Sequence, residues 1–357
     1  MKKILFGILI GIATLASCND PKDEYTYTNP IEYDWQAAAD SASNALINKF
    51  WNADGNYFNY GNNNKDLTFH YWPNAHAMDV VIDAYIRTQD NKYKDYFDKW
   101  YEGIKVKNGN TFKNDYVDDM EWNALTMLRI YEIVKDEKYL NTAQQLWGWI
   151  KDAWSEDNGG GIRWSYASGV AFTKNACSNG PAAIIAARIY KITKDETDLE
   201  WAKKIYEWEK QTLVNSSTGE VKDHIIVSSG NVEGAALTYN QGTYVGAAVE
   251  LYNITKNEVY LNDAKKASIY TISSLSNSNV LRDEGSGDNG LFKGIFIRYF
   301  LELIKVEDLT EAYRNKFVIA LNNNAQTLWS TGVYKTGTYD DDLLFGTSWD
   351  SSPVGFT

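Results

Sequence analysis

The sequence predicts an all-α chain, helical hairpins closed into an (α/α)6 toroid, and three observations carry that prediction. Amphipathic segments of 15 to 20 residues alternate with turns from Asp34 onward, almost nothing alternates with the period of a strand, and one short polar turn recurs along the chain. That turn reads Asp90-Asn91-Lys92-Tyr93, Asp136-Glu137-Lys138-Tyr139, Asp195-Glu196 and Asn257-Glu258-Val259-Tyr260, at intervals of 46, 59 and 62 residues, which is the size of a helical hairpin.

Taken in order, the apolar periodicity places helices at 34–51, 74–90, 92–106, 117–135, 137–154, 176–193, 196–214, 241–255, 257–277, 290–305 and 308–329. The recurrent turn joins the second helix to the third, the fourth to the fifth, the sixth to the seventh and the eighth to the ninth. The fourth helix is marked by Met127, Ile130, Tyr131 and Val134 at i, i+3, i+4 and i+7. The sixth and eighth are crowded with small residues, Ala182-Ala183-Ile184-Ile185-Ala186-Ala187 and Gly246-Ala247-Ala248, which let helices approach closely. Even-numbered helices therefore form an inner ring and odd-numbered ones an outer ring. A complete toroid of this kind has twelve helices; the eleventh ends near Trp329, so the final inner helix is missing from this chain and an apolar groove should stand open in its place.

In a run of antiparallel helices every second connection falls at the same face. The short turns mark one rim. The other rim gathers longer connections rich in Asp, Asn, Gln, His, Trp, Tyr and Gly: Phe69 to His76, the turn at Asp118-Asp119, Lys174 to Pro181, Tyr239 to Gly242, and Asp283 to Lys293. A rim so furnished is suited to a polar ligand.

The first residues are an export signal and not part of the fold. Met1-Lys2-Lys3 is basic, Ile4 to Ala16 is apolar apart from Gly and Thr, and Leu15-Ala16-Ser17-Cys18 closes the segment. The apolar run is shorter than the ~20 residues a membrane-spanning helix requires. Its ending resembles the bacterial lipobox, which implies a leader over 1–17, lipidation of Cys18 and attachment to the outer membrane, at the cell surface or on the periplasmic side. Residues 18–33 read as a polar tether and 34–357 as the folded domain. Without the leader only Cys177 accompanies Cys18, so no disulfide within the domain is available. The leader takes two lysines and no acid with it, so the formal charge moves from −12 to −14. Nucleic acid is not an expected partner of so acidic a chain.

The most pointed chemistry is Asn114-Asp115-Tyr116-Val117-Asp118-Asp119-Met120-Glu121-Trp122. It sets two adjacent carboxylates on the first turn of the fourth helix. Retaining glycosidases need two carboxyl groups roughly 5 Å apart, one to attack the anomeric carbon and one to protonate the leaving oxygen. An aspartate is equally a favoured helix cap, stabilised by the helix dipole, so spacing alone leaves both readings open. Asp340-Asp341-Asp342 lacks the alternating ligands and glycine of a calcium loop and reads as a solvated turn, as does Glu156-Asp157-Asn158. No phosphate-binding glycine motif, metal-ligand cluster or Ser-His-Asp order stands out.

Tyr116-Val117-Asp118-Asp119 with Trp122, Ser178-Asn179-Gly180-Pro181, Thr238-Tyr239-Asn240-Gln241-Gly242 and Phe292-Lys293-Gly294-Ile295-Phe296, in that order and on alternate helices, together resemble glycoside hydrolase family 76, the bacterial α-1,6-mannanases and their fungal relatives. The likeness runs from about residue 40 to the end. It implies an (α/α)6, retaining, metal-independent enzyme without a cofactor, with Asp118 as nucleophile and Asp119 as general acid/base, acting as an endo-α-1,6-mannosidase on mannan polysaccharide or oligosaccharide. Among the 13 Trp and 25 Tyr, most belong to the core. Trp72 and Tyr239 sit in rim loops and are expected to meet sugar, with His76, Asn179, Gly180, Asn240, Gln241, Asp283 and Lys293 as further binding candidates. A monomer is expected. Two other readings are a transglycosylase on the same fold, separable by acceptor dependence, and a non-catalytic glycan-binding lipoprotein, whose usual helical repeats of about 34 residues are absent here.

Overall fold

The computed structural model describes residues 32–62, 67–339 and 341–353. The expected leader, Cys18, most of the tether and Asp340 lie outside them. Among the described residues there are eleven α-helices: α1 (Trp35–Phe50), α2 (Tyr71–Thr88), α3 (Asn91–Lys107), α4 (Val117–Val134), α5 (Glu137–Lys151), α6 (Ala176–Thr193), α7 (Glu196–Thr212), α8 (Thr238–Thr255), α9 (Glu258–Ser274), α10 (Asn289–Ile304) and α11 (Glu311–Ser330). The only extended structure among them is a set of short ribbons of two or three residues per strand.

The recurrent turn has a definite construction. α2, α4, α6 and α8 each end on a residue in the left-handed conformation, Gln89, Lys135, Lys194 and Lys256, with φ of 57°, 56°, 63° and 56°. The next helix then starts from Asp90, Asp136, Asp195 or Asn257, whose side chain accepts the amide two residues on. The left-handed residue reverses the chain and the cap satisfies a first-turn amide that would otherwise be orphaned.

The even helices form the inner ring: α2 packs on α4, α4 on α6, α6 on α8 and α8 on α10. α6 and α8 are buried over almost their whole circumference. Their small residues permit this, since a Cβ on Gly242 would lie 2.6 Å from the Phe296 Cα and one on Gly180 would lie 2.8 Å from the Thr243 Cβ. Among the described residues the ring does not close through a sixth inner helix. Between α10 and α2 the link is ionic: Arg298 stands 3.1 Å from Asp83 and 3.7 Å from Asp79, and Arg129 of α4 reaches Asp79 at 2.6 Å. Above that link lies an apolar groove of about 560 Å³, lined by Leu46 and Phe50 of α1, Ala77 and Val80 of α2, and Leu291 and Ile295 of α10.

On the outside an extended strap follows α11 and runs along α1. The Asp34 amide donates to the Tyr339 hydroxyl at 2.6 Å, Asn44 donates to Asp341 at 3.3 Å, and Lys49 pairs with Asp342. Leu343 is buried beneath it.

Candidate active site

The two rims treat their helix starts differently. At the short-turn rim the caps are local, as described. At the other rim α2, α4, α6, α8 and α10 begin without a capping side chain of their own. In α4, α6 and α8 the first amide is instead taken up by a group from a distant loop, whereas α10 closes its first turn on the local carbonyls of Gly287 and Asp288. Val117 N donates to the Trp164 carbonyl at 2.8 Å, Ala176 N to the Asp223 carbonyl at 2.8 Å, and Thr238 N to Glu284 Oε1 at 2.8 Å. Each loop is thereby fastened to the mouth of an inner helix.

A cleft of about 680 Å³ opens at this rim, lined by His70, Trp72, Tyr116, Asp118, Asp119, Trp122, Trp164, Thr173, Asn175, Cys177, Asp223, His224, Leu237, Tyr239, Asp288, Asn289 and Phe292. A second groove shares His70, Tyr116 and Asp119 with it and continues past Lys107, Asn114 and Ala167, so the trough extends beyond the aspartates. Among the described residues no lysine or arginine lines this cleft.

Asp118 and Asp119 are half-buried on the cleft floor, on the first turn of α4. Asp118 Oδ2 receives the Trp164 indole N–H at 3.1 Å and the Cys177 thiol at 3.4 Å, and its Oδ1 receives the Asp119 amide at 3.1 Å. Burial pushes the Asp118 carboxyl up to about 6, and these hydrogen bonds oppose the rise. Asp119 is raised well above the ordinary carboxylate range by burial, then by the charge of Asp118 and of Asp288. The two carboxyls thus titrate as a pair that sheds its first proton from the better-solvated-by-donors side.

Trp72 and Tyr239 both line the cleft, Tyr239 stacked on Phe292 with centroids 3.8 Å apart. The other binding candidates lie elsewhere. His76 sits one turn below Trp72, its ring between Trp72 and Trp122, facing the apolar groove, and burial drives it down to about 4 so that it is neutral. Asn179 is fully buried and bridges both backbone groups of Ile162, at 2.9 and 3.2 Å. Gly180 faces Thr243 in the α6–α8 contact. Gln241 holds Val221 in the same manner, at 3.1 and 2.8 Å. Asn240 is buried behind the cleft wall and donates to Asp223 Oδ1 at 2.9 Å, so it orients a cleft carboxylate. Asp283 closes its own turn on the Gly285 amide and accepts from Thr347. Lys293 is buried, with its ammonium on the Thr347 carbonyl and 4.6 Å from the Trp349 ring centre. Helical phase separates the two groups: on α6 Cys177 turns to the cleft while the next three residues turn inward, and on α8 Tyr239 does so ahead of Asn240 to Gly242.

Several lining residues escaped the sequence reading. Thr173, Asn175 and His224 belong to a three-stranded ribbon, 173–175, 224–226 and 232–233, whose strands are too short to show alternation. Asp223 and His224 pair at 2.8 Å, and an acid beside one of only three histidines was a usable signal. Trp164 lies in a stretch without helical period.

The sequence profile of glycosyl hydrolase family 76 matches residues 34–356. A mannan endo-1,6-alpha-mannosidase of Candida albicans is 25% identical over 323 residues, which is 82% of this chain and 65% of that protein. One of Candida glabrata is 25% identical over 288 residues, 72% of this chain and 62% of that protein. The match thus spans a little under two thirds of these fungal proteins. Among solved structures, the GH76A α-1,6-mannanase of Salegentibacter sp. HEL1_6 is 41% identical with a TM-score of 0.84, covering 90% of this chain and 94% of that one. An inactive variant of it, with two consecutive aspartates changed to asparagine, is known in complex with α-1,6-mannotriose at the same similarity and coverage. A Listeria innocua protein is 34% identical with a TM-score of 0.81, covering 90% and 92%. With a profile match across nearly the whole domain, the chain belongs to glycosyl hydrolase family 76.

Proposed function

We propose that this protein is an endo-acting, retaining α-1,6-mannanase that hydrolyses the mannan backbone, with Asp118 as nucleophile and Asp119 as general acid/base. The observation that carries the reading is the pair of adjacent carboxyls on the floor of an aromatic trough, with their proton affinities pushed apart. The Salegentibacter relative supports the substrate, since it is an α-1,6-mannanase and its inactive form lacks two consecutive aspartates. Continuation of the trough past Asp119 supports endo action, because a chain can lie across the carboxyls instead of ending at them.

Asp119 enters the reaction protonated and gives its proton to the glycosidic oxygen while Asp118, ionised, attacks carbon 1. Departure of the leaving chain leaves Asp119 as a carboxylate. It then removes a proton from the water that displaces Asp118, and two inversions give net retention. Trp72, Trp164 and the Tyr239–Phe292 stack offer flat faces to pyranose rings, and Asp223, held by Asn240 and His224, offers a carboxylate to sugar hydroxyls. The decisive experiment incubates the protein with unbranched α-1,6-mannan and reads product sizes and the first anomer by NMR. Mid-chain cleavage with α-anomer appearing first is expected. Full activity in Asp118→Asn would sink the assignment.

The Leu15-Ala16-Ser17-Cys18 ending supports lipidation at Cys18 and residence on the outer membrane. Cys18→Ala should release the protein from the membrane fraction, and labelled fatty acid should no longer be incorporated.

A further inference from the structure

The proposed chemistry asks two neighbouring aspartates to behave differently, one charged and one protonated, yet α4 itself does little to tell them apart. Both lie on its first turn and both are half-buried. α4 supplies one donor, the Asp119 amide on Asp118 Oδ1 at 3.1 Å, and the rest of the difference comes from outside the helix. Two donors converge on one oxygen of Asp118: the Trp164 indole N–H, from the loop between α5 and α6, and the Cys177 thiol, from the first turn of α6. Among the described residues no donor reaches the carboxyl of Asp119. Hydrogen bonds to an anion are stronger than those to a neutral acid, so two donors on one carboxyl draw the charge there.

Both donors are held in place by the cleft's own construction. Trp164 is fixed at both backbone groups, its carbonyl accepting Val117 N at 2.8 Å and its amide donating to Thr173 O at 3.0 Å, with its ring edge-on to Tyr116 at 5.3 Å. The indole is therefore tied to the residue immediately before the aspartates. Burial and the neighbouring carboxylates push the Cys177 thiol well above its ordinary value, so it remains S–H and can donate, and the Tyr239 hydroxyl hydrogen-bonds the same sulfur. The titratable groups around Asp118 are Asp119 and Glu121 on α4, Cys177 on α6, Tyr239 on α8 and, farther along the wall, Asp223, His224, His70 and Asp288. No permanent cation is among them, so no salt bridge can select the charged aspartate.

We propose that Trp164 and Cys177 are positioning residues that assign the roles of the two aspartates, holding Asp118 as the carboxylate and leaving the proton to Asp119. The proposal rests on the reading of Asp118 as nucleophile.

The test is the pH profile of kcat/KM on reducing-end-labelled α-1,6-mannotetraose for wild type, Trp164→Phe, Cys177→Ala, Cys177→Ser and Asp118→Asn, with circular dichroism as the check on folding. Phe keeps the ring and loses the donor; Ser keeps a donor. Loss of one hydrogen bond to a charged group corresponds to about one pH unit. Trp164→Phe and Cys177→Ala should each move the acid limb up by about one unit, a roughly tenfold loss on the acid side and a smaller one above it, and Cys177→Ser should return the limb to its wild-type position. Folded variants that lose activity evenly at all pH, with the limb unmoved, would overturn the proposal; should Trp164→Phe not fold, the Cys177 pair decides. Activity in Asp118→Asn is a different result, since it removes the nucleophile assignment and not merely the clamp.

Discussion

Lys174 offers a sharp test of how the cleft wall is built. Its side chain is fully buried, and its ammonium donates to the carbonyls of Ser155 at 2.8 Å, Asp157 at 2.5 Å and Gly160. The loop 155–161 therefore closes around a positive charge, and the chain leaving it carries Trp164 to Asp118. Lys174→Met keeps the length of the stem and removes the charge. Hydrogen bonds from a charged donor contribute about 1.5–3 kcal/mol each. Water can reach the carbonyls of Ser155 and Asp157, which lie on half-buried and exposed residues, whereas Gly160 is buried and its carbonyl stays unpaired. Counting one bond lost without replacement and the relief of desolvating the ammonium against the other two gives a net cost of about 2–3 kcal/mol. At this chain size that lowers Tm by roughly 3–5 °C. Thermal unfolding followed by circular dichroism measures it, and limited proteolysis reports whether the loop itself has opened. A variant that melts within 1 °C of wild type with the same proteolytic pattern would show that the ammonium does not organise the loop.

Gly242→Ala drives a methyl group to 2.6 Å from the Phe296 Cα, a backbone atom with nowhere to go, so α8 and α10 must separate at a cost of about 1–3 kcal/mol, read as a lower denaturant midpoint. Glu121 and Glu209 are buried, their four carboxyl oxygens have no hydrogen-bond partner among the described residues, and burial raises both well above the ordinary range. Their folded pKa values exceed the unfolded ones, so the stability they allow is full below about pH 4.5 and is lost as pH rises through the folded values. The double variant Glu121→Gln, Glu209→Gln should melt like wild type at pH 4 and above it at pH 8. Asp79 is held low by Arg298 and Arg129 against the opposing effect of burial, so its contribution is present above about pH 3.8 and lost below. Asp79→Asn removes that anion from between the two guanidinium groups, both of which keep Asp83, and should cost about 1.5–3 kcal/mol at neutral pH, seen in urea unfolding.

What the sequence makes legible is what local chemistry determines. The turn at Asp90, Asp136, Asp195 and Asn257 is self-contained: a left-handed residue, an acceptor side chain and an amide two positions on. Its recurrence alone yields the hairpins and the two rims. The aspartates at 118 and 119 are legible as a helix mouth because acidic residues favour the first turn, at the positive end of the helix dipole. The phase of the first turn at the other rim is not. Asn179 and Gln241 stand beside residues that do face the cleft, and their amides have the chemistry of sugar ligands. They are consumed by the backbones of Ile162 and Val221, because a loop folded into the rim must satisfy its buried N–H and C=O groups somewhere. Lys293, Asp283 and their partner Thr347 likewise serve the strap, whose course along α1 depends on contacts about 300 residues apart in sequence.

The contrast between the rims explains why the cleft lies where it does. A helix start that carries its own cap needs nothing further, and the turn feeding it can be short. A helix start without one needs an acceptor from elsewhere, and for three helices of the wide rim the lenders are loops that cross from neighbouring hairpins: Trp164 to α4, Asp223 to α6, Glu284 to α8. Each borrowed carbonyl or carboxylate fixes a loop to the ring of inner helices, and the fixed loops bring Trp164 and Asp223 to the wall. The geometry around Asp118 is thus inherited from the hydrogen-bonding deficit of the helices below it. A wall held by backbone at both ends can present an indole N–H to one oxygen of one aspartate, which a freely moving loop could not do.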